Sequence, residues 1–183
     1  PWISLMVGTQ SNVAPCCVFT GETGNCSEQS LEDIWNNQDQ QQIRRDMLED
    51  NPVTGCTKCI KLEHLGQQSI RQQMNKIFGH HVDQVHQGVT PDFNLKYIDS
   101  RFNNLCNLSC RSCYHGSSSS WHAPSVEIGL IDKDTPVFLK AGRSKTDLYE
   151  QIHTQLDNAE RIYFAGGEPL IMSENYRILD ELD

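Results

Sequence analysis

Cys106-Asn-Leu-Ser-Cys110-Arg-Ser-Cys113 and, about fifty residues later, Arg161-Ile-Tyr-Phe164-Ala-Gly-Gly-Glu-Pro169 are the stretches on which the fold of this chain turns. Upstream of the first, Phe93, Leu95 and Tyr97 alternate with polar residues, the pattern of a strand that delivers the chain to the three-cysteine loop. Gly116 to Ser120, followed by Trp121, reads as a flexible turn. Leu148, Ile152 and Leu156 mark one face of a helix, and Arg161–Phe164 is a second strand that ends in Gly166-Gly167. Ser173 is placed to cap a last helix carrying Ile178, Leu179 and Leu182. Strand, loop, helix, strand, turn and helix make a βαβα order, which predicts a parallel sheet or the opening of a (βα) barrel.

Cys106, Cys110 and Cys113 can ligate three irons of a 4Fe-4S cube and leave the fourth iron open. The same thiolates with His115 or His122 would also make a Cys3His zinc site, and spacing alone leaves both open. Gly166, Gly167, Glu168 and Pro169 fall where a strand opens into a loop, the rim on which barrel enzymes build sites. Two glycines there allow close backbone approach to a ligand, although a Gly-Gly-Glu-Pro turn can also stand without one.

In the first half, Trp2 to Val7 and Val13 to Phe19 flank a polar turn and predict a hairpin with Cys16-Cys17 on its return strand. Leu31, Ile34 and Trp35 form a short helical pattern behind Ser30, and Ile43, Met47 and Leu48 form another that Asn51-Pro52 stops. Cys56 and Cys59 make a C-x-x-C turn running into a polar helix through Leu65, Ile70, Met74, Ile77 and Phe78. A cysteine-free tract separates the two cysteine groups, so the chain divides into a cysteine-rich module at 1–78, a linker at 79–92 and a second module at 93–183. Cys26 reads as a buried thiol, His80, His81 and His86 as solvated linker residues rather than metal ligands, and Asp99 and Arg101 as pairing with each other or with the backbone of the cysteine loop.

The chain has 183 residues and a formal net charge of −9, with no dense basic stretch to neutralise phosphates, which weighs against nucleic acid as a partner. No run of apolar residues is long enough for a membrane span, and no leader pattern is present. Eight cysteines in C-x-x-C and C-x-x-x-C-x-x-C spacings read as metal ligands in a reducing, cytoplasmic setting before they read as disulfides. The start at Pro1 and the end at Asp183 inside a helical pattern read as a piece of a longer product.

With both motifs in this order and at this distance, residues 93–183 resemble the radical S-adenosylmethionine (SAM) superfamily, whose signature is CxxxCxxC after the first barrel strand and a GGE-type turn after the second. The resemblance implies α/β architecture, the first part of a partial TIM-type (βα) barrel. It implies a 4Fe-4S cluster on Cys106, Cys110 and Cys113 that cleaves SAM reductively, with no catalytic residue beyond the cluster. The backbone at Gly166, Gly167, Glu168 and Pro169 would receive the SAM ammonium, with Glu168 supporting the turn or reaching the same group. On that view Gly167→Val weakens SAM binding and leaves cluster iron intact. Ser112 departs from the family's aromatic residue before the third cysteine, and Tyr114 follows it instead.

Pro1-Trp2, Cys16-Cys17, Ile34-Trp35-Asn36, Arg44-Arg45 and Cys56/Cys59 make the first half similar to the small α+β SPASM/Twitch domains that carry auxiliary iron-sulfur clusters. This implies Cys16, Cys56 and Cys59 as auxiliary ligands and Cys17 in reserve, the pattern's first cysteine lying before Pro1. Ser11 stands where that pattern has glycine. The implied partners are an electron donor such as flavodoxin or ferredoxin and a peptide or small-protein substrate. The rival reading is a non-catalytic zinc module, with a zinc knuckle in the first half.

Overall fold

The computed structural model describes residues 1–142 and 147–183. Among these, β1 (Ser4–Val7), β2 (Asn12–Ala14), β3 (Gly24–Asn25), β4 (Tyr97–Ser100) and β5 (Arg161–Phe164) form one mixed sheet in the order β3-β2-β1-β4-β5. The first three strands are an antiparallel meander. β4 then lies parallel to β1, with Ser4 opposite Tyr97 and Val7 opposite Ser100, and β5 lies parallel to β4, with Tyr97 opposite Arg161. One sheet thus runs from the first half of the chain into the second. The helices are α1 (Leu31–Trp35), α2 (Gln38–Leu48), α3 (Thr57–His64), α4 (Ile70–Phe78), α5 (Val82–His86), α6 (His122–Glu127), α7 (Leu148–His153) and α8 (Ser173–Leu182). No helix among the described residues is long and apolar enough to cross a membrane.

Alternation along the strands separates two faces. Leu5, Val7, Val13 and Ile98, joined by Ile162 and Phe164, pack into the main core with Leu31 and Trp35 of α1, Leu148 and Ile152 of α7 and Ile178 of α8. The other face carries Ser4, Met6, Tyr97, Asp99, Arg161 and Tyr163. Phe78 of α4 stacks on Tyr97 there at 6.0 Å, so part of this polar face is covered by the cysteine-rich half.

Local chemistry accounts for most boundaries. Ser30 accepts a bond from Asp33 N to cap α1, and Asn37 accepts one from Gln40 N to cap α2. The return strand of the hairpin stops at Ala14 rather than reaching Phe19, because Pro15 has no N–H to donate; Cys16 and Cys17 therefore sit in a turn. The polar helix expected from Cys59 to Phe78 is broken at Gly66, which turns left-handed at φ 71°, and α4 restarts with a Ser69/Gln72 capping box. Strand β4 begins at Tyr97 rather than at Phe93. Met172, not Ser173, occupies the cap position of α8, and the Ser173 hydroxyl bonds Glu174 instead. Residues 79–92 carry a 3-10 turn, Gly79–His81, and the short helix α5.

Three aromatic and cationic side chains fasten this connecting segment. Trp35 Nε1 donates to Pro91 O and Asp92 O at 3.1 Å, and Trp2 Nε1 donates to Gly88 O at 2.8 Å. Arg44, fully buried, donates to Pro1 O, Val89 O and Asn36 Oδ1 and lies 4.6 Å from the centre of the Trp35 ring. Burial brings its pKa down to about 10, so it remains charged at neutral pH.

Candidate iron-sulfur sites

The three-cysteine loop leaves the carboxyl end of β4, and its geometry is set by a residue that carries no chemistry of its own. Asn104 is fully buried. Its Nδ2 donates to His115 O and Val137 O, its Oδ1 accepts from Leu139 N at 2.8 Å, and its carbonyl accepts from Ser119 N at 2.7 Å. The segment 117–121, expected as a flexible turn, is a frame around the cysteines. Ser119 and Ser120 hydroxyls donate to Cys106 O, Trp121 Nε1 donates to Cys110 O at 3.0 Å, and Ser118 Oγ donates to Leu108 O at 2.8 Å. Cys113 N closes the loop on Cys110 O at 3.0 Å. Cys110 is exposed and Cys106 and Cys113 half-buried, so the loop offers its thiols outward.

The glycine turn leaves the carboxyl end of the neighbouring strand β5 and meets this loop. Gly167 N donates to Asn103 O at 3.1 Å and Glu168 N to Leu105 O at 2.8 Å. Gly166 has φ 111°, and a Cβ there would lie 2.6 Å from Asn103 O; a Cβ at Gly167 would collide with the Leu105 carbonyl. The glycines are thus required by close approach to the residues just before Cys106. Glu168 Oε1 accepts from Leu170 N at 3.0 Å, which supports the turn, and Asn175 Nδ2 of α8 holds Pro169 O at 2.9 Å.

The zinc alternative asks His115 or His122 to join these cysteines. Instead, buried His115 packs edge-on against His122 at 5.2 Å, and His122 Nε2 lies 2.8 Å from Thr135 O. Burial, and then His122, hold the His115 pKa below the usual imidazole range. A tetrahedral zinc draws its thiolates to about 3.8 Å from one another. Among the described residues no three cysteine sulfurs all lie within 4.8 Å of each other. Three free thiols are donors that suit a cubane as well as zinc, and a cubane spreads its terminal thiolates more widely.

The second group lies toward the amino ends of β1 and β4. Cys16 begins the turn after β2, with Phe19 N bonded to Cys16 O at 3.2 Å, and Thr20 N ties that turn to Gly55 O at 2.9 Å. Cys56 ends the 3-10 turn Thr54–Cys56 and Cys59 sits in the first turn of α3. Gly55 is packed so closely on the Phe19 ring that no side chain fits. Burial pushes the Cys56 thiol up, and the nearby Cys16 and Cys59 push in the same direction, while Arg71 opposes them. A cavity of about 690 Å³, lined by Cys16, Cys17, Cys56, Cys59, Arg71 and Tyr97 among others, opens beside them.

Cys17 has a different neighbour. Its thiol hydrogen-bonds Asp99, whose carboxylate is buried and lies 3.1 Å from the Arg101 guanidinium. Burial, and then Asp99, push the Cys17 thiol up. Of the two partners the sequence left open for them, Asp99 and Arg101 take each other. Ser11, in the place of a glycine, adopts φ 68°, and its hydroxyl accepts from Gly142 N at 3.1 Å and bonds the buried Cys26 thiol. Thr9 Oγ1 donates to Gly116 O at 2.6 Å, joining the first hairpin to the three-cysteine loop.

No curated protein and no solved structure matches the chain. Residues 1–60, which hold Cys16, Cys17, Cys56 and Cys59, match the family model of SPASM, an iron-sulfur cluster-binding domain of the kind that accompanies radical SAM enzymes.

Proposed function

We propose that the chain is part of a radical SAM enzyme, with a SPASM/Twitch-like auxiliary-cluster module followed by the first part of a partial (βα) barrel. The observation that carries this reading is the meeting of the three-cysteine loop and the Gly-Gly-Glu-Pro turn at the carboxyl ends of two adjacent parallel strands, joined by Gly167 N to Asn103 O and Glu168 N to Leu105 O. Sites in parallel α/β sheets form at that end. Cys106, Cys110 and Cys113 would hold the 4Fe-4S cluster and Gly166 to Pro169 would bound the SAM site, while Cys16, Cys56 and Cys59 would hold the auxiliary cluster. A reduced cluster held by Cys106, Cys110 and Cys113 would supply the electron for reductive cleavage of SAM, the chemistry that would open hydrogen abstraction from a substrate.

The chain's own residues contribute position. Ser119, Ser120 and Trp121 donate to the carbonyls of Cys106 and Cys110, which fixes the shape of the loop. Glu168 Oε1 accepts from Leu170 N and so supports the turn, while the turn's backbone and the second carboxylate oxygen would face a ligand ammonium. The C-x-x-C and C-x-x-x-C-x-x-C spacings, read as metal-ligand patterns, favour a reducing, cytoplasmic setting. A flavodoxin- or ferredoxin-type donor and a peptide or small-protein substrate complete the proposal.

Electron paramagnetic resonance of the full-length protein, reconstituted anaerobically and reduced, tests it. The spectrum of one cluster should change on adding SAM, and that cluster should be missing when Cys110 is replaced by alanine. A spectrum indifferent to SAM, or zinc bound in place of iron in protein isolated without oxygen, would overturn the reading.

A further inference from the structure

Two adjacent histidines and one distant glutamate converge on the side of the sheet away from the three-cysteine loop. Successive side chains on a 3-10 turn, with three residues per turn, ordinarily diverge by about 120°. In the 3-10 turn Gly79–His81 they do not: the His80 and His81 rings lie 4.1 Å apart, tilted by 42°. His81 also lies against Phe78 at 6.5 Å, and Phe78 against Tyr97 at 6.0 Å. Glu160 is fixed from the other side, its N–H bonded to Lys96 O at 2.9 Å just before β5 begins. His80 Nε2 is 3.2 Å and His81 Nε2 2.5 Å from the Glu160 carboxylate. The three ligand atoms all lie within 4.8 Å of one another, the only such trio of His, Cys, Asp or Glu among the described residues.

We propose that His80, His81 and Glu160 bind a divalent transition-metal ion, zinc fitting best. Two imidazole nitrogens and one carboxylate oxygen are borderline donors that suit zinc, whereas magnesium and calcium prefer all-oxygen shells. With zinc-to-ligand lengths of about 2.0–2.1 Å, tetrahedral donors stand about 3.3 Å apart. On the shared oxygen Oε1 the His80 separation of 3.4 Å already meets that, and His81 at 2.5 Å needs to open from its direct contact. Each imidazole would coordinate through Nε2 and keep its proton on Nδ1. His80 and Glu160 are partly exposed, so water can fill the remaining position. The site lies at the amino ends of β4 and β5, where parallel α/β folds keep structural rather than catalytic residues. Its role is a clamp that ties the segment after α4 to the foot of β5. None of its donors is a cysteine, so it stands or falls apart from the iron-sulfur reading.

Zinc-edge X-ray absorption and calorimetric titration of the full-length protein with zinc alone test the proposal. Wild type should take up one zinc with a shell of nitrogen and oxygen at about 2.0–2.1 Å and no sulfur near 2.3 Å, and its thermal midpoint should rise. That shell distinguishes the site from the thiols whether or not they carry iron. His80→Ala removes a largely exposed ring, and Glu160→Gln keeps the size of the side chain. Both should match wild type without zinc and lose the nitrogen–oxygen site and the thermal shift. Zinc found only on sulfur, or undiminished nitrogen–oxygen binding in both variants, overturns it.

Discussion

Gly167 leaves no room for a side chain, and the obstacle is the backbone of Leu105 in the neighbouring loop. The family resemblance implies that a glycine in this turn makes way for a ligand and that Gly167→Val spares the cluster. The packing predicts otherwise. A valine must push against the residue immediately before Cys106, at a cost of about 1–3 kcal/mol of the kind found for overpacked sites. In the full-length protein Gly167→Val should therefore lower iron at the three-cysteine loop together with SAM binding, while leaving the iron assigned to Cys16, Cys56 and Cys59. Iron analysis beside a SAM binding isotherm checks this, and full iron with lost binding would restore the purely ligand-facing role. The glycines and cysteines were legible because their chemistry is unusual for any loop. Asn104 and the Ser118–Trp121 frame were not, since a buried asparagine with several partners and a run of serines look like ordinary turn residues until their hydrogen bonds are seen. Ser11 is intermediate: its departure from glycine was visible, but the left-handed φ and the bond to Gly142 that accompany it were not.

Among the elements, β5 matches the expected Arg161–Phe164 because a short alternating run ended by two glycines has few other readings. The limits of β2 and the break between α3 and α4 follow from Pro15 and Gly66, which are local signals. The parallel pairing of β1 with β4 was not legible, because it joins residues more than ninety positions apart. That pairing has a titratable consequence in β4. Burial, then Asp99 and Cys17, push the Tyr97 phenol from 10.0 up to about 12. Between those two values the folded chain keeps a proton that the unfolded chain gives up, so this group's contribution to stability is intact below pH 10 and declines as pH rises through the window. Tyr97→Phe should flatten the alkaline fall in stability over that range, measured by denaturant midpoints at stepped pH. Identical slopes in the two proteins would show that the phenol is not held in this environment.

At the scale of the whole molecule, one sheet and one main core serve both cysteine groups while keeping them apart. The three-cysteine loop leaves the carboxyl end of β4, whereas Cys16 follows β2, whose carboxyl end lies beside the start of β1 and β4. Four residues of strand put about 13 Å between the two ends of β4. Trp2, Trp35 and Arg44, conspicuous in the sequence, hold the connecting segment rather than a ligand, so removing auxiliary cysteines leaves this fastening in place. The Cys56→Ala, Cys59→Ala double variant of the full-length protein should accordingly fold, lose part of its iron, and still form 5′-deoxyadenosine when reduced with dithionite. Turnover of the natural substrate should collapse. Cys17→Ala supplies the internal comparison, since its thiol is bonded to Asp99 while Cys16 neighbours Cys56; it should keep the iron that the double variant loses. Iron content, 5′-deoxyadenosine yield and substrate turnover measured side by side decide the matter. Full iron in the double variant would remove the cluster from this half of the chain, and loss of iron on Cys17→Ala would move the ligand role from Cys16 to its neighbour.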